Sequence, residues 1–195
     1  MDQGIVKVVT GAEAAVYVQA RSVIKKRVPK KYRAAELDIK LRKERTKNEA
    51  KIQSEARRAG VPTPIIQEID GFDITMERIE GPSVRSVINE TIAEQIGEIF
   101  CTLHSAGIAH GDPTTYNMIV SHKQIYLIDF GLASYDRSLE ARGVDVHVFF
   151  QSLEASHENY RALKKAFLAG YTKKCRDAEQ VLKKVEEIKG RGRYL

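Results

Sequence analysis

The chain has 195 residues, 43% of them hydrophobic and 30% charged, with a formal net charge of +6. That balance excludes an intrinsically disordered chain and supplies enough apolar surface for one good core or two small lobes sharing a cleft. No apolar run reaches membrane-spanning length and residues 1 to 4 lack signal-peptide character, so a cytoplasmic protein with no membrane partner is expected.

Residues 4 to 9 read as a strand, residues 10 to 14 as a turn and residues 15 to 18 as a second strand. The small residues Gly11 and Ala12 let backbone N–H groups approach an anion, although a turn with one glycine also serves as a plain hairpin. Residues 22 to 28 read as a third strand, ended by Pro29. On it Lys25 and Lys26 point to opposite faces, because strand side chains alternate. From about residue 33 to residue 59 the composition predicts helix, with room for a break near residues 38 to 42. Ile52, Ala56 and Ala59 form its apolar face. Residues 21 to 60 hold 15 Lys and Arg against 5 Asp and Glu. Such one-sidedness suggests a polyanion, RNA or nucleotide phosphate, or else a solvated helix face.

Gly60-Val61-Pro62-Thr63-Pro64 stops the helix. Residues 65 to 69 and 72 to 77 predict a hairpin around Asp70-Gly71. Glu80-Gly81-Pro82 predicts a hinge, dividing the chain into an N-terminal lobe of residues 1 to 80 and a C-terminal lobe of residues 81 to 195. Beyond it Thr91 and Glu94 suggest a capping box for a helix that buries Ile92, Ile96, Ile99 and Leu103. His104, near its end, reads as a satisfied helix histidine. Cys101 and Cys175 have no paired spacing and read as free or buried thiols. No His/Cys cluster suggests zinc. Three further helices are expected around residues 144 to 150, 159 to 170 and 177 to 189. A basic, mobile tail with Arg191 and Arg193 follows.

The chemistry-bearing stretch is His110-Gly111-Asp112-Pro113-Thr114-Thr115-Tyr116-Asn117, followed by Leu127-Ile128-Asp129-Phe130-Gly131. Between the two, Met118-Ile119-Val120 and Ile125-Tyr126-Leu127-Ile128 predict a hairpin that sets Asn117 and Asp129 at neighbouring strand ends. Phosphoryl transfer needs a carboxylate beside the nucleophile and oxygen ligands for Mg²⁺ on a triphosphate. Asp112 fits the first role; Asn117 and Asp129 fit the second, as metal ligands. Either tripeptide alone is an ordinary turn. The two together, in this order and with an Asn at the required offset, are not expected by chance.

This layout resembles the catalytic and metal-binding loops of the protein-kinase fold. Gly111 leaves no Arg to hold a phosphorylated activation loop, so the likeness is to atypical RIO kinases or small-molecule antibiotic kinases. The resemblance implies an α+β, minimal bilobal kinase-like fold: an antiparallel N-terminal sheet with one main helix, and a shortened helical C-terminal lobe. It implies ATP and Mg²⁺ as cofactors, with Gly11 and Ala12 at the phosphates. Lys25 is then the phosphate-binding lysine, and Glu49, chosen over Glu44 and Glu55, its helical partner. Glu77 and Ile79 would meet the purine through their backbone, with Met76 behind it. Asp112, Lys25 and Glu49 are the catalytic set.

Over nearly its whole length the chain resembles the small RIO-like kinase/ATPase subunit of the KEOPS complex. The matching features are Ile24-Lys25-Lys26-Arg27 with Lys31-Tyr32-Arg33, Arg45-Thr46 with Asn48-Glu49-Ala50, Met76-Glu77-Arg78-Ile79-Glu80-Gly81, the two loops above, Val144-Asp145, and Arg191-Gly192-Arg193. The resemblance implies serine/threonine kinase or ATPase activity. It also implies binding to the catalytic threonylcarbamoyl-transferase subunit and a small regulatory subunit, with tRNA in the assembled complex. Two departures stand out: Pro113 removes a backbone N–H after the catalytic Asp, and Tyr116 is bulky beside Asn117. Only 14 positions separate Gly131 from Asp145. That leaves no room for a long activation segment and favours nucleotide hydrolysis or autophosphorylation. The alternatives are a small-molecule phosphotransferase and a non-catalytic RNA-binding scaffold.

Overall fold

A computed structural model describes residues 7 to 11 and 13 to 191. Strands β1 (Lys7–Thr10), β2 (Ala14–Val18), β3 (Ser22–Arg27), β4 (Ile66–Asp70) and β5 (Asp73–Glu77) form one antiparallel sheet in the order β1-β2-β3-β5-β4. Helix α1 (Ala35–Arg58) crosses behind it. α1 carries Glu36 and Asp38 in its first turn and Arg57 and Arg58 in its last, complementing the helix dipole. Gly60, at φ +96°, ends it by returning its N–H to Arg57 O.

α1 is continuous, without a break at residues 38 to 42. Asp38 is the reason: its buried carboxylate accepts the Lys30 N–H at 3.1 Å and pairs with Arg42 at 2.6 Å, one turn on. The polar residues that read as a loop are instead satisfied against the incoming chain. Ile52 and Ala56 are buried as expected, whereas Ala59, at the helix end, is exposed.

After β5 come α2 (Val84–Val87), α3 (Glu90–Ser105), β6 (Ile108–Ala109), a 3₁₀ turn at Thr115–Asn117, the hairpin β7 (Met118–Ser121) and β8 (Gln124–Leu127), β9 (Ser134–Tyr135), α4 (Leu139–Ser156), α5 (Tyr160–Lys174) and α6 (Ala178–Arg191). The cap of α3 is Asn89, not Thr91: its side chain accepts the Ile92 N–H at 3.0 Å. That start rotates the buried stripe to Ala93, Ile96, Gly97, Phe100 and Leu103, leaving Ile92 and Ile99 only partly covered. The main core gathers this stripe with Phe149, Phe167 and Tyr171. It also takes in Ile52 and Ala56 of α1, so the two halves of the chain share one apolar centre.

Cys101 and Cys175 are disulfide-bonded, with Cα atoms 5.4 Å apart, rather than free thiols. Their helices meet backbone to backbone: a Cβ on Gly170 would lie 1.9 Å from Glu94 O, and one on Gly97 2.2 Å from Phe167 O. Only glycines permit that approach, and it brings together cysteines 74 positions apart. Arg191 belongs to α6 and pairs with Glu140 at 2.7 Å, so it is not a tail cation. Ala12 and Arg193 lie outside the described residues. Among the described residues no helix is long and apolar enough to cross a membrane.

Candidate active site

Strand alternation decides between the two lysines. Lys25 turns into the cleft and Lys26 to the other face, where it pairs with Asp73 at 2.8 Å. Lys25 Nζ lies 2.6 Å from Glu49 Oε1 and 2.6 Å from Asp129 Oδ1. Glu49 sits in the buried middle of α1, and its second oxygen is taken by Arg27. Arg27 was not singled out from the sequence. The available signal was its spacing of two from Lys25, which puts both on one face of β3.

The catalytic-loop stretch is held from below. Asp145 of α4 accepts the His110 N–H at 2.6 Å and the Gly111 N–H at 2.8 Å. The same carboxylate faces His104 Nε2 at 3.2 Å, while His104 Nδ1 and the Tyr171 hydroxyl share a hydrogen bond at 2.9 Å. His104 is therefore a satisfied core histidine, and Asp145 is a positioning residue that sequence reading quoted only within a motif. Gly111 has φ +82°, and a Cβ there would lie 2.4 Å from Leu132 O. The loop has a glycine because neither the backbone nor the space accepts a larger residue.

Asn117 Nδ2 donates to both Asp112 O and Asp112 Oδ2 at 2.9 Å. The amide nitrogen is thus spent on fixing Asp112, which leaves Oδ1 to face a cation. Pro113 is buried and the turn closes around it through Thr114 N–H to Asp112 O at 2.9 Å. Tyr116 is exposed, its ring under Arg85 at 4.5 Å, so it turns away from Asn117.

The β7–β8 hairpin turns on His122 and Lys123, both at positive φ, and pairs Met118 with Leu127. The pairing continues as Ile128 N–H to Asn117 O at 2.9 Å, which brings Asn117 and Asp129 to adjacent ends. Asp129 has φ +63°, a left-handed conformation that costs a non-glycine residue about 1 kcal/mol or more. Burial of Phe130, whose ring lies 4.9 Å from that of His110, and the Gly131 N–H to Asp129 Oδ1 hold it there.

Electrostatics separate the two aspartates. Burial pushes Asp112 up, only partly opposed by the Asn117 hydrogen bond. Burial also acts on Asp129, but Lys25 and the Gly131 N–H outweigh it and hold its carboxyl below the usual value. For Lys25 burial is outweighed by Glu49 and Asp129, so its ammonium is held above the ordinary lysine value. Burial lowers His110, keeping that ring neutral under the loop.

Lys25, Asp112 and Asp129 line a cleft of about 570 Å³ together with Gly11, Arg27, Arg45 and Leu132, while Glu49 and Asn117 are not part of its lining. Met76 packs with Ala50 and Ile74, and Glu77 donates its N–H to Ile65 O at 2.8 Å. Neither these two nor Ile79 lines this cleft, so the structure does not join the purine residues to the phosphate end. Among the described residues no three His, Cys, Asp or Glu groups converge on a metal position. Two oxygen ligands, Asn117 and Asp129, fit Mg²⁺, which takes few protein ligands and completes its shell with phosphates and water. The cations lining the cleft fit a phosphate chain.

A small antiparallel sheet over a helical lobe, with a lysine–glutamate pair facing an Asp-Phe-Gly turn, defines a kinase-type domain. The chain belongs to the RIO domain family, which matches residues 6–162, and stands there with the BUD32 homologs. It is 49% identical over 189 residues to the "Probable serine/threonine-protein kinase BUD32 homolog" of Archaeoglobus fulgidus, covering 97% of this chain and 96% of that protein. To the "Probable bifunctional tRNA threonylcarbamoyladenosine biosynthesis protein" of Methanosarcina mazei it is 53% identical, over 94% of this chain. It spans only 35% of that bifunctional relative. Among solved structures, the Rio2 kinase–ADP/Mg²⁺–phosphoaspartate complex from Chaetomium thermophilum shares the fold, with a TM-score of 0.66 at 15% identity, covering 97% of this chain and 71% of that one.

Proposed function

We propose that this chain is an atypical Mg²⁺-dependent serine/threonine kinase/ATPase of the KEOPS complex. It supports threonylcarbamoyladenosine modification of tRNA through ATP hydrolysis or autophosphorylation, in the cytoplasm. The reading rests above all on the 2.6 Å contacts of Lys25 with Glu49 and Asp129, in a cleft that Lys25 and Asp129 line together with Asp112, itself held by Asn117. The relatives named for tRNA threonylcarbamoyladenosine biosynthesis and for a BUD32-type kinase support it.

In this reading Lys25 neutralises the phosphates, and Glu49 fixes its direction. Asn117 and Asp129 would hold Mg²⁺, which supplies Lewis-acid stabilisation of the phosphate oxygens. Asp112, oriented by Asn117, accepts or orients the proton of the attacking hydroxyl, from water or from a Ser or Thr side chain. The purine would lie at the Glu77 and Ile79 backbone near Met76, with Ala12 beside Gly11 at the phosphates. The partners are the threonylcarbamoyl-transferase subunit, a small regulatory subunit and tRNA.

The test is Mg²⁺-dependent ATP turnover, with and without those subunits and tRNA. Asp112→Ala should lose turnover by about 10²–10⁴-fold while keeping ATP affinity. Equal losses of both would assign Asp112 a structural role.

A further inference from the structure

Arg27 follows Lys25 by two positions on β3, so the two side chains leave the strand on one side, roughly 6–7 Å apart. Ser22 pairs with Glu77 beside the hinge, whereas Lys26 pairs with Asp73, so Arg27 lies farther from the hinge than Lys25. It faces Ala14, just after the Gly11 turn. If the cleft holds ATP with its base at the hinge, as proposed above, the phosphates run past Lys25 toward Arg27.

The Arg27 side chain is 4% exposed, yet its Nε has no hydrogen-bond partner. Its Nη1 stands 3.7 Å from Glu13 Oε2, beyond hydrogen-bonding distance. Nη2 is taken by Glu49 Oε2, so Nη1 is the nitrogen this cleft-lining guanidinium turns to Glu13. The same Glu13 oxygen lies 2.6 Å from Arg45 Nη1 of α1. A carboxylate from the turn over the cleft thus sits between two guanidinium groups at its far end. Glu13 and Arg45 are both about half exposed, so their pair adds little to folding.

We propose that Arg27 and Arg45 form a subsite for the terminal phosphate of a nucleoside triphosphate, and that Glu13 occupies it as an internal surrogate until that phosphate arrives. A phosphate presents more charge and more acceptor oxygens than a carboxylate, in a geometry that suits paired guanidinium groups. Glu13 then swings out toward solvent. Lys25 reads the inner phosphates, so this subsite is what distinguishes a triphosphate from a diphosphate.

The experiment is calorimetric titration of the full chain, in Mg²⁺, with a non-hydrolysable ATP analogue and with ADP. Arg27 is buried and its variants risk unfolding, so Glu13→Gln and Arg45→Gln carry the test. Glu13→Gln should tighten the analogue about two- to fivefold, the scale of one partly exposed charge pair, with ADP unchanged. Arg45→Gln should weaken the analogue about tenfold or more, with ADP little affected. Equal shifts for both nucleotides, or none, would overturn the subsite while leaving nucleotide binding intact. A wild-type chain that binds neither nucleotide overturns both readings.

Discussion

Lys25 Nζ and Asp129 Oδ1 lie 2.6 Å apart across 104 positions of sequence. This contact ties the sheet to the Asp-Phe-Gly turn, and it must open if Asp129 takes a metal and Lys25 a phosphate. Glu49 keeps Lys25 in place during that exchange, because Arg27 already neutralises its other oxygen. Lys25→Ala is therefore expected to depress turnover with the fold retained, and Asp129→Ala to weaken Mg-ATP binding strongly by calorimetry. Lys26→Ala, on the opposite face, should leave both unchanged; the reverse result would shift the strand register by one.

The Lys25–Asp129 pair also sets a pH window for stability. Asp129 is held below 3.8, so its contribution is present above that pH and is lost as pH falls further, through the folded value. Lys25 is held above 10.5, so its contribution is complete below that pH and is lost as pH rises through the folded value. The difference in melting temperature between wild type and Lys25→Met should be flat between these limits and shrink outside them.

Gly111→Ala should damage the loop. It places a side chain at φ +82° and against Leu132 O. The expected cost is about 1–3 kcal/mol in denaturant unfolding, with loss of turnover as Asp112 shifts. A variant as stable and active as wild type would mean that the loop readily takes another path.

Reduction of Cys101–Cys175 should lower stability by about 2–4 kcal/mol, because the bond closes a long loop. Mass spectrometry after alkylation should find no modified cysteine before reduction and two after it. Two reactive thiols in the native, unreduced chain would contradict the pairing.

The basic helix is expected to meet tRNA phosphates through Lys40, Lys43 and Lys47, which are exposed. Arg42, a basic residue of the same segment, is engaged inside the chain: it pairs with Asp38 and its guanidinium lies 3.8 Å over the Phe72 ring. Lys51 lies 5.3 Å over the Tyr135 ring. Charge reversal at Lys43 and Lys47 should flatten the salt dependence of tRNA binding by about 0.7 to 0.9 log units per lost contact. A salt-independent, tRNA-indifferent protein, alone and in the assembled complex, would leave this helix a solvated face.

Sequence by itself determined what local periodicity and turn chemistry encode. Strand alternation separated Lys25 from Lys26, and the hairpin after Asn117 placed that residue beside Asp129. Glycine and proline marked the passage at Gly81, where a Cβ would meet Val120 O at 1.9 Å. Tertiary structure alone decided the rest. The room for a break near residues 38 to 42 closes because Lys30 and Arg42 satisfy Asp38. The cysteines pair because Gly97 and Gly170 let two helices touch. Asp145 gains its role from two N–H groups 34 and 35 positions away, and Glu13 from Arg45, 32 positions on. A side chain's near neighbours fix its direction, but a partner that far along the chain is chosen only by how closely the packed backbones approach.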